Sequence, residues 1–186
     1  MKRLVLILLL PLFLLACDSD EAAGGKLISY SSTNYPITFQ VPENWAIMDD
    51  ADSITIASTE SLLSASSVED GARINIVVSP SFFVGSNTAM ELVDTAVRNF
   101  REQDGAEIIQ ETEMTNINTQ AAAQTVLRGP DALGNEIIYR YMFIENLSVN
   151  QTAVVAAVHD AKQNNLYGQL MADIVNSIQL EDTSDQ

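Results

Sequence analysis

Two stretches of the chain repeat apolar residues at helical spacing, and most of the rest alternates as strands do. Within 88–103, Ala89, Leu92, Val93, Ala96, Val97 and Phe100 recur every three or four residues, which predicts an amphipathic helix facing a core. Thr88 and Glu91 have capping-box spacing at its start, and Gly105 supplies a stop. A second stripe, Tyr167, Leu170, Met171, Ile174, Val175 and Ile178, predicts a C-terminal helix. Asp160 with Gln163 would cap that start, and Gly168 inside it costs about 1 kcal/mol relative to alanine. Ile37, Phe39 and Val41 alternate with polar neighbours ahead of a turn at Pro42-Glu43-Asn44, followed by Trp45. Residues 54–56 and 73–78 are short β-branched runs. Two hairpins are predicted, 108–114 with 120–127 and 136–144 with 152–158; Gly129-Pro130-Asp131 and Gly134-Asn135 mark the turn between them.

The last two strands say how the sheet is covered. Ile137, Tyr139, Tyr141 and Phe143 fall on one face, Ile138, Met142 and Ile144 on the other, and 153–158 is apolar throughout. An antiparallel sheet with one wet face alternates cleanly, and these strands do not. The expected fold is therefore α+β, an α/β/α sandwich on a largely antiparallel central sheet. Arg140, caught in that sheet, then needs an acidic or carbonyl partner or a route to the edge.

The N-terminus has a separate logic. Lys2 and Arg3 precede an unbroken apolar run over 4–15, shorter than the roughly 20 residues of a spanning helix. The run ends in Leu14-Leu15-Ala16-Cys17, which resembles the lipobox of bacterial lipoproteins. The resemblance implies that 1–16 is a signal peptide, that Cys17 receives diacylglycerol, and that its freed amine takes a further acyl chain such as palmitate. Two or more chains hold a protein stably on a bilayer. Residues 17–26 then form an acidic, flexible, lipid-anchored tether, 27–180 one globular domain, and 181–186 a frayed acidic tail. The address is the bacterial cell envelope, facing outward from the cytoplasmic membrane. Asp18 resembles the inner-membrane retention signal of enteric bacteria.

Composition narrows the chemistry. Of 186 residues 47% are hydrophobic and 18% charged, enough apolar material for one core. With 25 acidic against 9 basic residues the formal net charge is -16, so electrostatic attraction to nucleic acid or anionic headgroups is excluded. Contact with the membrane falls to the acyl chains on Cys17. A single Cys excludes a disulfide framework, a thiolate zinc site and a redox pair, and a single His excludes any site needing two imidazoles.

A family resemblance covers nearly the whole mature domain. Tyr35-Pro36-Ile37-Thr38-Phe39-Gln40-Val41-Pro42-Glu43-Asn44-Trp45 resembles the opening strand and Pro-x-x-Trp turn of the PsbP-like superfamily, and Asp173-Ile174-Val175-Asn176-Ser177-Ile178 resembles the end of its last helix. Many members carry Gly before the Trp, where this chain has Asn44. The resemblance implies an α/β/α sandwich and a non-enzymatic binding or assembly role; it carries over neither photosystem function nor metal-linked residues.

Candidate chemistry is sparse. His159, the sole candidate base for a triad, ends an apolar strand beside Asp160, and no Gly-x-Ser-x-Gly elbow exists. Asp49, Asp50 and Asp52 invite a calcium reading, but Ile54 occupies a ligand position of a loop starting at Asp50 and no Gly follows it, so a solvated turn is the expectation. Asp131, Asn135 and Glu136 form a second polar turn. Trp45 is expected in the core. No catalytic, metal or cofactor-binding residue is assigned, and Cys17 is the one modification site. The expected function is a non-catalytic envelope module that binds or assembles an unidentified envelope protein or ligand. The alternatives are a carboxylate-based envelope hydrolase and a carrier of an apolar ligand.

Overall fold

A computed structural model describes residues 25–81, 87–102 and 105–182. Long hairpins dominate it. Strands β6 (Glu107–Ile117), β7 (Gln120–Pro130), β8 (Glu136–Asn146) and β9 (Gln151–Asp160) follow one another as an antiparallel meander. β5 (Ala72–Pro80) pairs with the far side of β9, and β4 (Ile54–Ala57) and β3 (Ala46–Asp49) complete a seven-stranded sheet in the order β3-β4-β5-β9-β8-β7-β6. A second, three-stranded sheet is formed by β1 (Leu27–Ser31), β2 (Ile37–Pro42) and β10 (Gln179–Leu180), with β2 in the middle.

The large sheet is covered on both faces, as the filled faces of 137–144 required. One face receives α1 (Ala89–Arg101), whose Ala89, Val93 and Val97 pack on Ala123, Leu127 and Phe143. Full burial of a side chain such as Val93 or Leu127 contributes about 1.5–3 kcal/mol. The opposite face receives α2 (Asn164–Asn176) together with the small sheet; Met171, Ile174 and Val175 meet Ile37, Phe39, Ile74, Ile76, Met142 and Val155 there. The fold is thus the α+β sandwich expected, with the small sheet sharing one outer layer with α2.

Three strands escaped the sequence. β1 is mostly exposed, β3 is four half-buried residues, and β10 has two residues, so none carries a period long enough to register. Two helix ends also differ. α1 stops at Arg101, with the Thr88–Glu91 capping box formed in both directions. α2 stops at Asn176, and Ile178 is buried in the link to β10. Asp160 caps a preceding 3-10 turn, Ala161–Gln163, through the Lys162 N–H, with no reciprocal bond from Gln163. The Pro42-Glu43-Asn44 turn closes by a Trp45 N–H bond to the Pro42 carbonyl, and Asn44 lies outside the left-handed region, so no glycine is required. No helix among the described residues is long and apolar enough to cross a membrane.

Candidate functional site

A recess lies beside each helix. On the α1 side a cleft of about 430 Å³ opens between α1, the 66–68 loop and the β7–β8 turn. Tyr139 and Val158 form its floor. Phe100, near the end of α1, stacks on Tyr139 with rings parallel to within 4° at 6.1 Å, and Tyr139 in turn stacks on Tyr141. Gly129 permits this: a Cβ there would stand 2.9 Å from the Phe100 ring, so the ring rests on bare strand backbone.

The rim is pinned by a carboxylate. Asp131 Oδ1 accepts from the N–H groups of Leu133 and Asn135, both at 2.9 Å, and Oδ2 accepts from the Ser67 hydroxyl. Asn135 Nδ2 also donates to Ser67 Oγ at 2.8 Å, so the β7–β8 turn and the 66–68 loop are tied together. Burial pushes the Asp131 carboxyl up, but the bonds from Ser67, Asn135 and Leu133 outweigh it and hold the group below its ordinary value. Arg73 Nη1 donates to the carbonyls of Leu62 and Ala65 and anchors the same loop from beneath. Burial, with the neighbouring Tyr141, pushes the Tyr139 hydroxyl up to about 12, so it stays neutral. The cleft therefore offers stacked rings, apolar walls and neutral hydrogen-bonding groups such as Asn99 and Ser66.

The second recess, about 270 Å³, lies on the other face between α2 and the β6–β8 strands. It contains Arg140 and His159. His159 is 4% exposed, and its Nε2 lies 3.1 Å from Asn164 Oδ1. Burial pulls its pKa below the ordinary value, against the raising effect of the Asn164 bond, and Arg140 lowers it further. Arg140 Nη1 donates to Gln124 Oε1 at 3.0 Å, an amide carbonyl of the kind its place in the sheet called for.

The other residues singled out in the sequence have structural duties. Asp49 binds the β1–β2 loop to β3, accepting from Tyr30, Ser32, Thr33 and Asn34. Asp50 donates its N–H to the Ser53 carbonyl in the β3–β4 turn. Among the described residues no three His, Cys, Asp or Glu side chains are grouped to hold a metal. Trp45 is 7% exposed and meets Tyr167 edge-on at 6.0 Å, in the core. Asp160 accepts from the N–H groups of Lys162 and Asp70, away from the His159 ring bond. Cys17 and Asp18 lie outside the described residues. The Phe100–Tyr139 pairing is not legible in the sequence: the rings sit in separate stripes, and Gly129, which lets them meet, carries only a turn signal there.

A largely antiparallel sheet covered on both faces, with one helix on each side, is the Mog1/PsbP-like fold. The Ran-binding protein Mog1p of Saccharomyces cerevisiae superposes with a TM-score of 0.57 at 11% identity, over 87% of this chain and 98% of that one. PsbP (CyanoP) of Synechocystis gives 0.55 at 14%, over 90% and 98%. LpqN of Mycobacterium tuberculosis, described as involved in cell envelope biogenesis, gives 0.57 at 11%, over 83% and 91%. These identities establish the fold alone. No protein-family model and no curated protein sequence matches the chain.

Proposed function

We propose that the chain is a lipid-anchored, non-catalytic module of the bacterial cell envelope that binds another envelope component in the α1-side cleft. The observation that carries this reading is the preformed cleft itself, with Phe100 stacked on Tyr139 over Gly129 and a rim pinned by Asp131. An ordered aromatic floor loses little side-chain freedom on binding, which favours recognition. The titratable groups singled out as catalytic or metal candidates support it as well, since His159, Asp49 and Asp131 are each engaged in holding local structure. The Leu14-Leu15-Ala16-Cys17 sequence supports the anchor, and the fold shared with an envelope-biogenesis protein supports the setting. Leu27 begins β1 ten residues after Cys17, so even a fully extended tether keeps the domain within about 35 Å of its anchor.

The test uses the full chain in a bacterial envelope with a photo-crosslinking residue at Asn99, in the cleft, or at Val77, an exposed position on β5. A defined partner should be captured from position 99 but not from 77, and Phe100→Ala should abolish capture. Cys17→Ala should move the protein out of the carbonate-resistant membrane fraction or leave an uncleaved precursor. Equal capture from both positions overturns the cleft, and unchanged mass and fractionation in Cys17→Ala overturns the anchor.

A further inference from the structure

The recess beside α2 has a chemistry of its own. Arg140 on β8 stands opposite Val126 on β7, facing α2, with Ile138 two residues before it on the same face. Its Nη1 donates to Gln124 Oε1, and the Nε2 of the same amide donates to Glu113 at 3.0 Å. Glu113 takes a second amide donor from Gln110, so the Gln124 amide is held with its oxygen on Arg140. Among the described residues no carboxylate lies within 4.0 Å of Arg140. A guanidinium has five N–H donors in a fork shaped for a carboxylate, and Gln124 occupies one. The walls beside it are apolar: Ile109, Val126, Ile138 and Met171. Gly168 on α2 leaves room there, and the Asn164 side chain lies across it to reach His159.

We propose that this recess binds a small monocarboxylate with an apolar chain, its carboxylate on Arg140 and its chain against Ile109, Val126, Ile138 and Met171. Burial opposes the Arg140 charge, and a bidentate carboxylate would compensate it by charge-assisted hydrogen bonds. His159, its pKa lowered by burial, is neutral at pH 7, so Arg140 is the cation lining the recess, with Glu113 acting on it from behind Gln124. Glu113 behind Gln124 adds repulsion that disfavours a dianion. At about 30 Å³ per water-sized group, the cavity of about 270 Å³ accepts roughly nine non-hydrogen atoms, the size of hexanoate. The net charge of -16 repels anions at long range, but salt screens that within about 10 Å, which leaves the local cation in control.

The full chain, anchored in nanodiscs of zwitterionic lipid at pH 7.5, is titrated with hexanoate while the Arg140 Nε–H resonance is followed, identified by its loss in Arg140→Lys. A saturable shift is expected with hexanoate. Hexanamide, the neutral isostere, should need at least tenfold more, and inorganic phosphate should give no saturable shift. Ile109→Ser, at a side chain 51% exposed and so tolerant of change, should raise the half-saturating hexanoate concentration about threefold and leave that of acetate unchanged. A linear hexanoate response, equal response to hexanamide, saturable phosphate binding or indifference to Ile109→Ser overturns the proposal. Phe100→Ala should not alter hexanoate binding, so this result is separable from the fate of the α1-side cleft.

Discussion

Asp49 on β3 ties the large sheet to β1 and the β1–β2 loop, and removing its charge should measurably loosen that junction. Its Oδ2 accepts from Tyr30 OH at 3.0 Å, Ser32 Oγ at 2.8 Å and the Thr33 N–H at 3.0 Å, and its Oδ1 accepts from Asn34 Nδ2 at 3.1 Å. Asp49→Asn keeps the shape, turns one acceptor into a donor facing Asn34, and reduces the others from charge-assisted to neutral bonds. Hydrogen bonds to charged groups contribute about 1.5–3 kcal/mol and neutral ones about 0.5–1.5, so each retained bond weakens by about 1 kcal/mol. The Thr33 and Asn34 bonds are exposed and count for less, which leaves about 2 kcal/mol, or a fall of roughly 4–8 °C in Tm. Burial pushes the Asp49 carboxyl up, but the bonds from Thr33, Asn34, Ser32 and Tyr30 together hold its pKa below the ordinary value. The stabilisation is therefore complete above the unfolded pKa of about 3.9 and is lost as pH falls through the lower folded value. Urea unfolding of a chain of residues 26–186 should show the full difference between wild type and Asp49→Asn at pH 7, shrinking towards pH 2. A difference below about 0.5 kcal/mol at pH 7, or one that does not change with pH, would refute the reasoning.

Two further substitutions test local claims in the same chain. Asn118 and Thr119 turn the β6–β7 hairpin with φ of 47° and 69°, a left-handed pair that suits Asn but strains a β-branched residue, so Thr119→Gly should raise stability by about 0.5–1 kcal/mol in urea unfolding. In Gly168→Ala the new Cβ would lie 2.5 Å from Asn164 Oδ1 and displace it from His159. The helix gains about 1 kcal/mol and loses one hydrogen bond of similar worth, so stability should barely change. The NMR-titrated pKa of His159, the chain's one His, should nevertheless fall further below 6.5, because the Asn164 bond was raising it.

What the sequence disclosed follows from how far each signal reaches. The capping box of α1 and the hairpin turns are written within a few residues, and they appear where the pattern put them. The doubly apolar 137–144 stretch correctly implied layers on both faces, because no exposed sheet tolerates such a run. Tyr139 and Arg140 were legible as opposite-facing neighbours, and Arg140 as a cation in need of a carbonyl. Their partners were not legible. Phe100 meets Tyr139, and Gln124 meets Arg140, only after α1 packs and β7 takes its register. The two glycines read as a turn and a helix defect, Gly129 and Gly168, prove to be contact surfaces for Phe100 and Asn164. The small sheet stayed hidden because β1 is mostly exposed and β10 has two residues, so both are defined only by their pairing with β2.

The two recesses meet on one strand, and that geometry argues that they act independently. Tyr139 floors the α1-side cleft and Arg140, the next residue, lies in the recess beside α2, because successive side chains of a strand point to opposite faces. Coupling between them would require β8 to slide or twist. β8 is paired along its whole length, with β7 on one side and β9 on the other, and β9 is paired in turn with β5. A slip by one residue would exchange Phe143 and Met142 between faces and bury Arg140 beneath α1, at a cost far above anything a small ligand supplies. Coupling of 1–3 kcal/mol between sites needs an element with two accessible arrangements, and a doubly paired central strand is a poor one. Flexibility is better placed at the edges, where β6 is interrupted by register shifts on either side of Gln110 and contributes Ile109 to the recess. An occupant of that recess would thus act on β6, not on the cleft, and the fold holds two recesses on one sheet without making either the switch of the other.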